Sequence, residues 1–527
     1  MEIAAHLTGP TMGAQIRRVL ERYPDRIAFK DARGEKTYAE VLDLISRYQA
    51  VLSEAGLRRG EGVAALGANR YEVWALGAAV QSLGLYATWL HPMGGVSDQI
   101  FQIEDARVSA LVVDELHHAE RGRELVEFAA GAGLTAWSFG PAGFAGDLDF
   151  AGGSDFAGDL ETAAAHVGPQ AFRDEGRPED RAIINYTGGT TGRPKGVTRR
   201  QINMGPSTAD ILADFEIPAS PRYLLIPPMS HVAGTNVTPT LARGGTVHLM
   251  NGFDPAAVLE TIERERITFT LFVPTMIYAL LDHPDLETRD TSSLEYVLYG
   301  ASPMSESRLR EGLERIGPVF AQLYGQTECY PISILSREDH ENPARLLSCG
   351  KPVQSVDVRI LDPMGEEVPV GESGELCIRG RGAMDGYWQR DDLTAETIVD
   401  GWLHTGDIAR IDEEGYLYIV DRKKDMIISG GFNVYPREVE DALATHPAVA
   451  QMAVFGVPDE KWGERLTAAV VLRAGQSVEP EELMRHVKEL KGAVQAPKQV
   501  FFVDQLPQTA VGKINKRALS DQVVGQA

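Results

Sequence analysis

Cysteine is scarce: 527 residues hold three, Cys329, Cys349 and Cys377. That excludes a disulfide framework, and no metal-type spacing links them, so small buried hydrophobes in a reducing compartment are expected. Positive charge is also short. Lys and Arg number 51 against 75 Asp and Glu, a net charge of −24, which argues against a general nucleic-acid or anionic-membrane surface. An acidic chain can still bind a nucleotide where its cations are gathered locally. Long apolar runs are missing too. No stretch of about 20 such residues exists to span a bilayer, and the start, MEIAAHLTGPTMG, lacks a basic segment followed by an apolar one. A cytoplasmic protein without a membrane span is expected. No repeat of fixed period is present. The composition, 43% hydrophobic and 24% charged, is ordinarily globular, and the length exceeds one core, so two or more domains are expected.

What is there begins with TGGTTGRPKG, residues 187–196. It follows an apolar run, residues 182–184, that reads as a strand. Glycines let backbone N–H groups turn toward an anion, hydroxyls donate further bonds, and Lys195 adds a point charge. The pattern G-x-x-x-x-G-K-[ST] fails, because Pro194 precedes Lys195 and Gly196 follows it. The stretch is either a phosphate-holding loop of another kind or a plain surface turn.

Helical spacing marks residues 11–23, 38–57 and 71–84, with a hairpin-like DARGEKT before the second and a short strand at 61–67. Residues 135–180, rich in Gly, Ala, Asp and Ser, read as a loop or surface excursion. Strand and helix then alternate. Strands are expected at 223–227, 268–273, 295–299 and 319–323, and helices at 254–266, 275–282 and 305–316, with Asp254 as cap and Pro255 at the first helical position. That spacing implies crossover units and a parallel sheet. From 355 the pattern turns antiparallel around a Pro-Met-Gly turn. Beyond the charged junction DRKKD comes an α+β unit with helices at 436–445 and 480–491 and strands at 450–456, 466–473 and 499–503. The fold class is therefore α/β: a large N-terminal domain (1–421) with mixed and parallel sheets and a small β region, a junction (422–425), and a small C-terminal domain (426–527).

Four further stretches accompany the loop: QLYGQTE (322–328), WLHTGD (402–407), DRKKD leading into IISGGFNVYP (421–436), and LPQTAVGKI (506–514). With these five motifs in order over nearly the whole chain, the sequence resembles the adenylate-forming superfamily of acyl-CoA synthetases, adenylation domains and luciferases. Within it the chain looks most like bacterial fatty-acyl- and aryl-CoA ligases. The resemblance implies a two-step reaction using ATP, Mg²⁺ and coenzyme A. A carboxylate attacks the α-phosphorus to give acyl-AMP and pyrophosphate, and a thiol then displaces AMP. The first step brings two anions together, so cations and N–H donors must neutralise the approach.

By the same resemblance Thr187, Gly188, Gly189, Thr190, Thr191 and Lys195 hold the β- and γ-phosphates. Tyr324, beside Gly325, stacks near adenine, Thr327 meets phosphate, and Glu328 ligates Mg²⁺. Asp407 accepts hydrogen bonds from the ribose hydroxyls, and Arg422 reaches ribose or phosphate. Lys513 bridges the incoming carboxylate and the α-phosphate. Lys424 is the hinge about which the small domain moves, and Gly430 and Gly431 line the pantetheine passage. His231 is a candidate contact for the substrate carboxylate or a structural histidine. Gly300, Ala301 and Ser302 form one wall of the acyl pocket, with Gly300 leaving room for the acyl group. Thr235 and Asn236 add polarity if they face it. An aryl acid, a medium chain and a longer chain all remain open. So do transfer to a carrier protein in trans or to another nucleophile, activation of a small acid such as nitrite, and assembly as a homodimer.

Overall fold

Local signals set the element ends. The Thr37 side chain accepts from the Glu40 N–H while the Glu40 carboxylate accepts from the Thr37 N–H, a reciprocal cap that opens the helix Tyr38–Glu54. Asp254 accepts from Ala257 N–H at 2.8 Å ahead of Pro255, opening Pro255–Glu265. The computed structural model describes residues 11–140, 156–187, 194–423, 425–429, 432–459, 461–473, 475–507 and 514–524.

Four sheets organise these elements. The first has nine strands, and its centre is parallel, in the order Phe320–Gln326, Tyr296–Gly300, Phe269–Phe272, Arg222–Leu225, Thr246–Leu249 and Ile27–Asp31. The second, of eight strands, runs parallel from Arg181–Thr187 through Tyr86–Trp89, Gly62–Leu66, Ala110–Val113 and Thr135–Ser138 to Phe156–Asp159. Strand Lys195–Arg200 returns antiparallel on its other edge. Central strands such as Tyr296–Gly300 and Ala110–Val113 are buried along their whole length, as sheets covered on both faces require. Their near-continuous apolar runs follow from that burial.

A third, antiparallel sheet joins Val356–Leu361, Gly374–Gly380, Trp402–Ile411 and Leu417–Arg422, the small β region expected from residue 355. The fourth is built from residues after 426: Ile427–Ser429, Phe432–Val434, Val449–Asp459 and Gly463–Leu472 antiparallel, with Gln499–Phe502 parallel at one edge. Val439 and Leu443 of helix Pro436–Ala444 share its core with Leu483 and Val487 of helix Pro480–Lys491, as their spacing on one helical face predicts.

One expectation is corrected. Residues 135–180 are not a plain excursion: they supply strands Thr135–Ser138 and Phe156–Asp159 and helix Leu160–Val167. The strands have four residues each, too short for alternation to show. Asp159 was the readable signal, since its carboxylate caps the helix by accepting from Glu161 N–H at 2.9 Å. Among the described residues no helix is long and apolar enough to cross a membrane.

Candidate active site

In open α/β sheets ligands gather beyond the carboxyl ends of parallel strands. Thr327 and Glu328 follow strand Phe320–Gln326, Gly300 ends its neighbour, His231 follows Arg222–Leu225, and Thr187 ends Arg181–Thr187. The motifs thus end strands of two different sheets, and contacts such as Tyr387 to Glu328, Arg199 to Thr327 and His91 to His231 join the two.

Thr187 and Lys195 pair directly across an antiparallel hairpin, so the glycine-rich stretch is its tip. Gly188, Gly189, Thr190 and Thr191 of that tip lie outside the described residues, as do Lys424, Gly430, Gly431 and Lys513. Lys195 Nζ stands 5.0 Å from the centre of the Tyr387 ring, and the Tyr387 hydroxyl donates to Glu328 Oε1 at 2.9 Å. A cation, an aromatic ring and a carboxylate are thus linked between the loop's lysine and the predicted metal ligand. Thr327 and Glu328 themselves form the two-residue tip between Gln326 and Cys329, which pair. The Met384 N–H anchors the Glu328 carbonyl at 2.7 Å, and an Arg199 guanidinium N–H holds the Thr327 carbonyl.

Asp407 is the second centre. It is 3% exposed, and its Oδ2 accepts from Tyr324 OH at 2.5 Å and Gln326 Nε2 at 2.6 Å. Its Oδ1 faces Arg422 Nε at 3.3 Å from the paired strand Leu417–Arg422, where Arg422 is its register partner. Burial, then the neighbouring Asp407 charge, pushes the Tyr324 phenol well above its ordinary value, so it stays a donor. A ribose diol would meet a carboxylate already aligned by two hydrogen-bond donors and an ion pair.

The acyl side departs from expectation at Gly300. A Cβ there would stand 2.4 Å from the Leu323 carbonyl oxygen and 2.9 Å from the Leu323 side chain. The glycine permits close strand packing rather than opening a pocket. Ala301 has φ +66°, the left-handed region unusual for alanine, and Ser302 is exposed. Gly325 likewise admits the Tyr330 ring, which a Cβ would approach to 2.8 Å. His231 is exposed, contacts Ser230 Oγ through Nδ1 at 2.9 Å, and meets His91 edge to face, with ring centres 4.4 Å apart. Burial lowers the His91 pKa, favouring its neutral ring. Thr235 Oγ1 donates to the Val232 carbonyl at 2.6 Å, and Asn236 is buried.

Sequence reading gave no role to Tyr387, Gln326, His91 or Arg199. Gln326 stood inside a quoted motif. Tyr387, in Gly-Tyr-Trp, and His91, before a proline, carry no local signal. Near the junction, Glu375 Oε2 contacts both His404 Nδ1 and Lys423 Nζ at 3.0 Å, and Cys377 Sγ lies 3.4 Å from His404 Nδ1. Burial opposes ionisation of Glu375, but the bonds from His404 and Lys423 outweigh it and lower its pKa. The Lys423 ammonium already supplies the cation that this trio of potential ligands would attract. All three cysteines are buried and free, and burial pushes their thiols to about 12, 11 and 12 for Cys329, Cys349 and Cys377; they are inert packing groups.

Comparison with known proteins agrees with this geometry. A profile described as AMP-binding enzyme matches residues 16–388, and one described as AMP-binding enzyme C-terminal domain matches 438–513. The medium/long-chain fatty-acid–CoA ligase FadD8 of Mycobacterium tuberculosis is 45% identical over 493 residues, covering 92% of this chain and 85% of its own. A feruloyl-CoA synthase of Amycolatopsis is 37% identical, covering 94% and 95%. The solved amide bond synthetase McbA of Marinactinospora thermotolerans superposes with a TM-score of 0.88 at 35% identity, covering 97% of this chain and 100% of that one. The chain belongs to the AMP-binding enzymes, the adenylate-forming superfamily that its five motifs resemble.

Proposed function

We infer that this protein is an ATP-dependent carboxylic acid:CoA ligase, forming acyl-AMP and pyrophosphate and then acyl-CoA and AMP. The single observation that carries the reading is the chain of contacts from Lys195 through Tyr387 to Glu328, together with the Asp407 carboxylate aligned by Tyr324, Gln326 and Arg422. Family membership and CoA-ligase relatives over more than nine-tenths of the chain support it.

In the first half-reaction a carboxylate oxygen attacks the α-phosphorus and pyrophosphate leaves with the bonding pair. Thr187, Lys195 and the glycine-rich tip bind the departing phosphates, and Thr327 orients the nucleotide. Glu328 offers oxygen ligands of the hard type that Mg²⁺ takes, and the metal, when bound, neutralises phosphate charge. Asp407 accepts from the ribose hydroxyls because an ionised carboxylate is acceptor-only. Lys513 bridges the carboxylate and the α-phosphate. In the second half-reaction the CoA thiol, losing its proton, displaces AMP, with the pantetheine arm passing Gly430 and Gly431. We place the large domain at 1–421, the hinge at 422–425 around Lys424, and the small domain at 426–527. His231, with His91 packed on it, gates the acid. The fatty-acid and feruloyl relatives favour a medium, long-chain or aryl acid.

A second reading, transfer of the acyl group to an amine, is favoured by the superposition on an amide bond synthetase. A panel of fatty and aryl acids with ATP, assayed with CoA, with an amine and with neither, separates the two. Acyl-CoA as the main product is expected. ATP consumption with the best acid but no thioester would overturn the ligase reading.

A further inference from the structure

We propose that Arg199 is an additional anion-binding residue of this site, receiving the pyrophosphate end of MgATP; the proposal rests on the reading that ATP is the nucleotide. Strand Lys195–Arg200 leaves the phosphate-type loop, and side chains two apart share a face of a strand. Lys195, Val197 and Arg199 therefore lie on one face, and both cations of that face reach the Glu328 hairpin: Lys195 through the Tyr387 ring, Arg199 through the Thr327 carbonyl. The opposite face is settled differently. Arg200 forms an ion pair with Asp385 at 2.6 Å, and Thr198 Oγ1 donates to the Gly386 carbonyl at 2.9 Å.

Arg199 has no such settlement. One nitrogen holds the Thr327 carbonyl, while its Nε is buried with no hydrogen-bond partner among the described residues. Burial lowers its pKa, opposed only partly by the charges of Glu328 and Asp385 and by the Cys329 thiol. It makes no ion pair with a carboxylate among the described residues: Tyr387 donates to Glu328 Oε1, and Arg200 pairs with Asp385 Oδ1, leaving Asp385 Oδ2 without a hydrogen bond. A half-exposed guanidinium that keeps one N–H buried and unused carries a desolvation cost that an apolar residue there would avoid. The missing partner is an anion. A guanidinium presents a planar fork of donors that matches a phosphate with two parallel bonds. Glu328, on the same hairpin, would hold the divalent cation that accompanies the phosphates. The Thr327 carbonyl bond gives Arg199 a second effect, since it fixes the turn from which Thr327 and Glu328 project.

The test measures ligand affinity by calorimetry on the full chain, with neither acid nor CoA present. Magnesium pyrophosphate, MgATP and AMP are titrated into wild type, Arg199→Met and Arg199→Lys, and each thermal midpoint is recorded. Arg199→Met should weaken MgATP and magnesium pyrophosphate at least tenfold and leave AMP within about twofold, because AMP lacks the outer phosphates. Arg199→Lys should recover part of the loss and supplies the charge comparison if the methionine variant does not fold. Unchanged affinity for all three ligands would overturn the proposal. So would equal weakening of all three with a lowered midpoint, which marks a residue that only holds the hairpin. Selective loss in a chain that makes no acyl-CoA would keep the Arg199 assignment and reject only the ligase reading.

Discussion

Asp407 separates two kinds of damage that a single substitution usually mixes. Two half-buried donors, Tyr324 OH and Gln326 Nε2, converge on the same oxygen, Oδ2, whereas Oδ1 faces Arg422, whose side chain is 46% exposed. Replacing Asp407 with Ala strands the half-buried Tyr324 hydroxyl and leaves Gln326 Nε2 only its bond to the Thr405 carbonyl at 3.1 Å, so the fold should lose about 1–3 kcal/mol. Arg422 adds little because it can turn to water. Asparagine differs. With its amide oxygen at the Oδ2 position both bonds survive, losing only their charge assistance, for about 1 kcal/mol. Its amide nitrogen then faces Arg422 and, in the ligand complex, the ribose, so one acceptor for the diol is gone. Asp407→Asn should therefore melt close to wild type yet bind AMP and ATP about tenfold or more weakly, and Asp407→Ala should lose both stability and affinity. Differential scanning fluorimetry and calorimetric titration with AMP read the two quantities separately. Wild-type AMP affinity in Asp407→Asn would refute the ribose role, and an Asn variant as unstable as Ala would refute the geometry.

Tyr387→Phe keeps the ring under Lys195 but removes the bond to Glu328; a two- to tenfold rise in KM for MgATP is expected, about 0.4–1.4 kcal/mol, and an unchanged KM would dissociate Glu328 from the metal nucleotide. His248, 6% exposed, is held neutral by burial, its pKa lowered from 6.5 to about 4. A histidine depressed in the folded state contributes stability present above pH 6.5 and lost as pH falls toward 4, up to about 3 kcal/mol. The stability of His248→Gln should accordingly fall less than that of wild type across that window, and parallel curves would contradict the assignment. Lys513→Ala should abolish acid-dependent pyrophosphate release, by about a hundredfold or more, while sparing thioester formation from supplied acyl-AMP. Equal loss in both half-reactions would sink the bridging role.

Much of the frame was legible. The Asp254 cap before Pro255, and the Val439–Leu443 spacing, gave a helix start and a helix face because these signals are local. The antiparallel region after 355 announced itself through its turn. What escaped was set by tertiary contact. The strands within 135–180 are recognisable only once their parallel neighbours are in place. Gly300 looked like an opening because a missing side chain leaves no trace of what occupies the space, here the Leu323 carbonyl. Asp407 was legible as an acceptor, but its partners come from a strand about eighty positions earlier, which no window spans. Tyr387 reaches Glu328 only because strand Gly386–Tyr387 pairs beside Lys195–Arg200.

The contact between Glu375 and Lys423 sets an energy scale for the proposed hinge. Lys423 immediately precedes the proposed hinge residue, and its side chain is 60% exposed while Glu375 is sheltered in the third sheet. An ion pair with one member so open is worth about 0–1 kcal/mol, near thermal energy. The tether can orient the junction without arresting it, and dissolved ions compete for the ammonium directly. Ionic strength thus becomes an external dial on how often this one contact lets go, while the deeply buried cores remain indifferent to it.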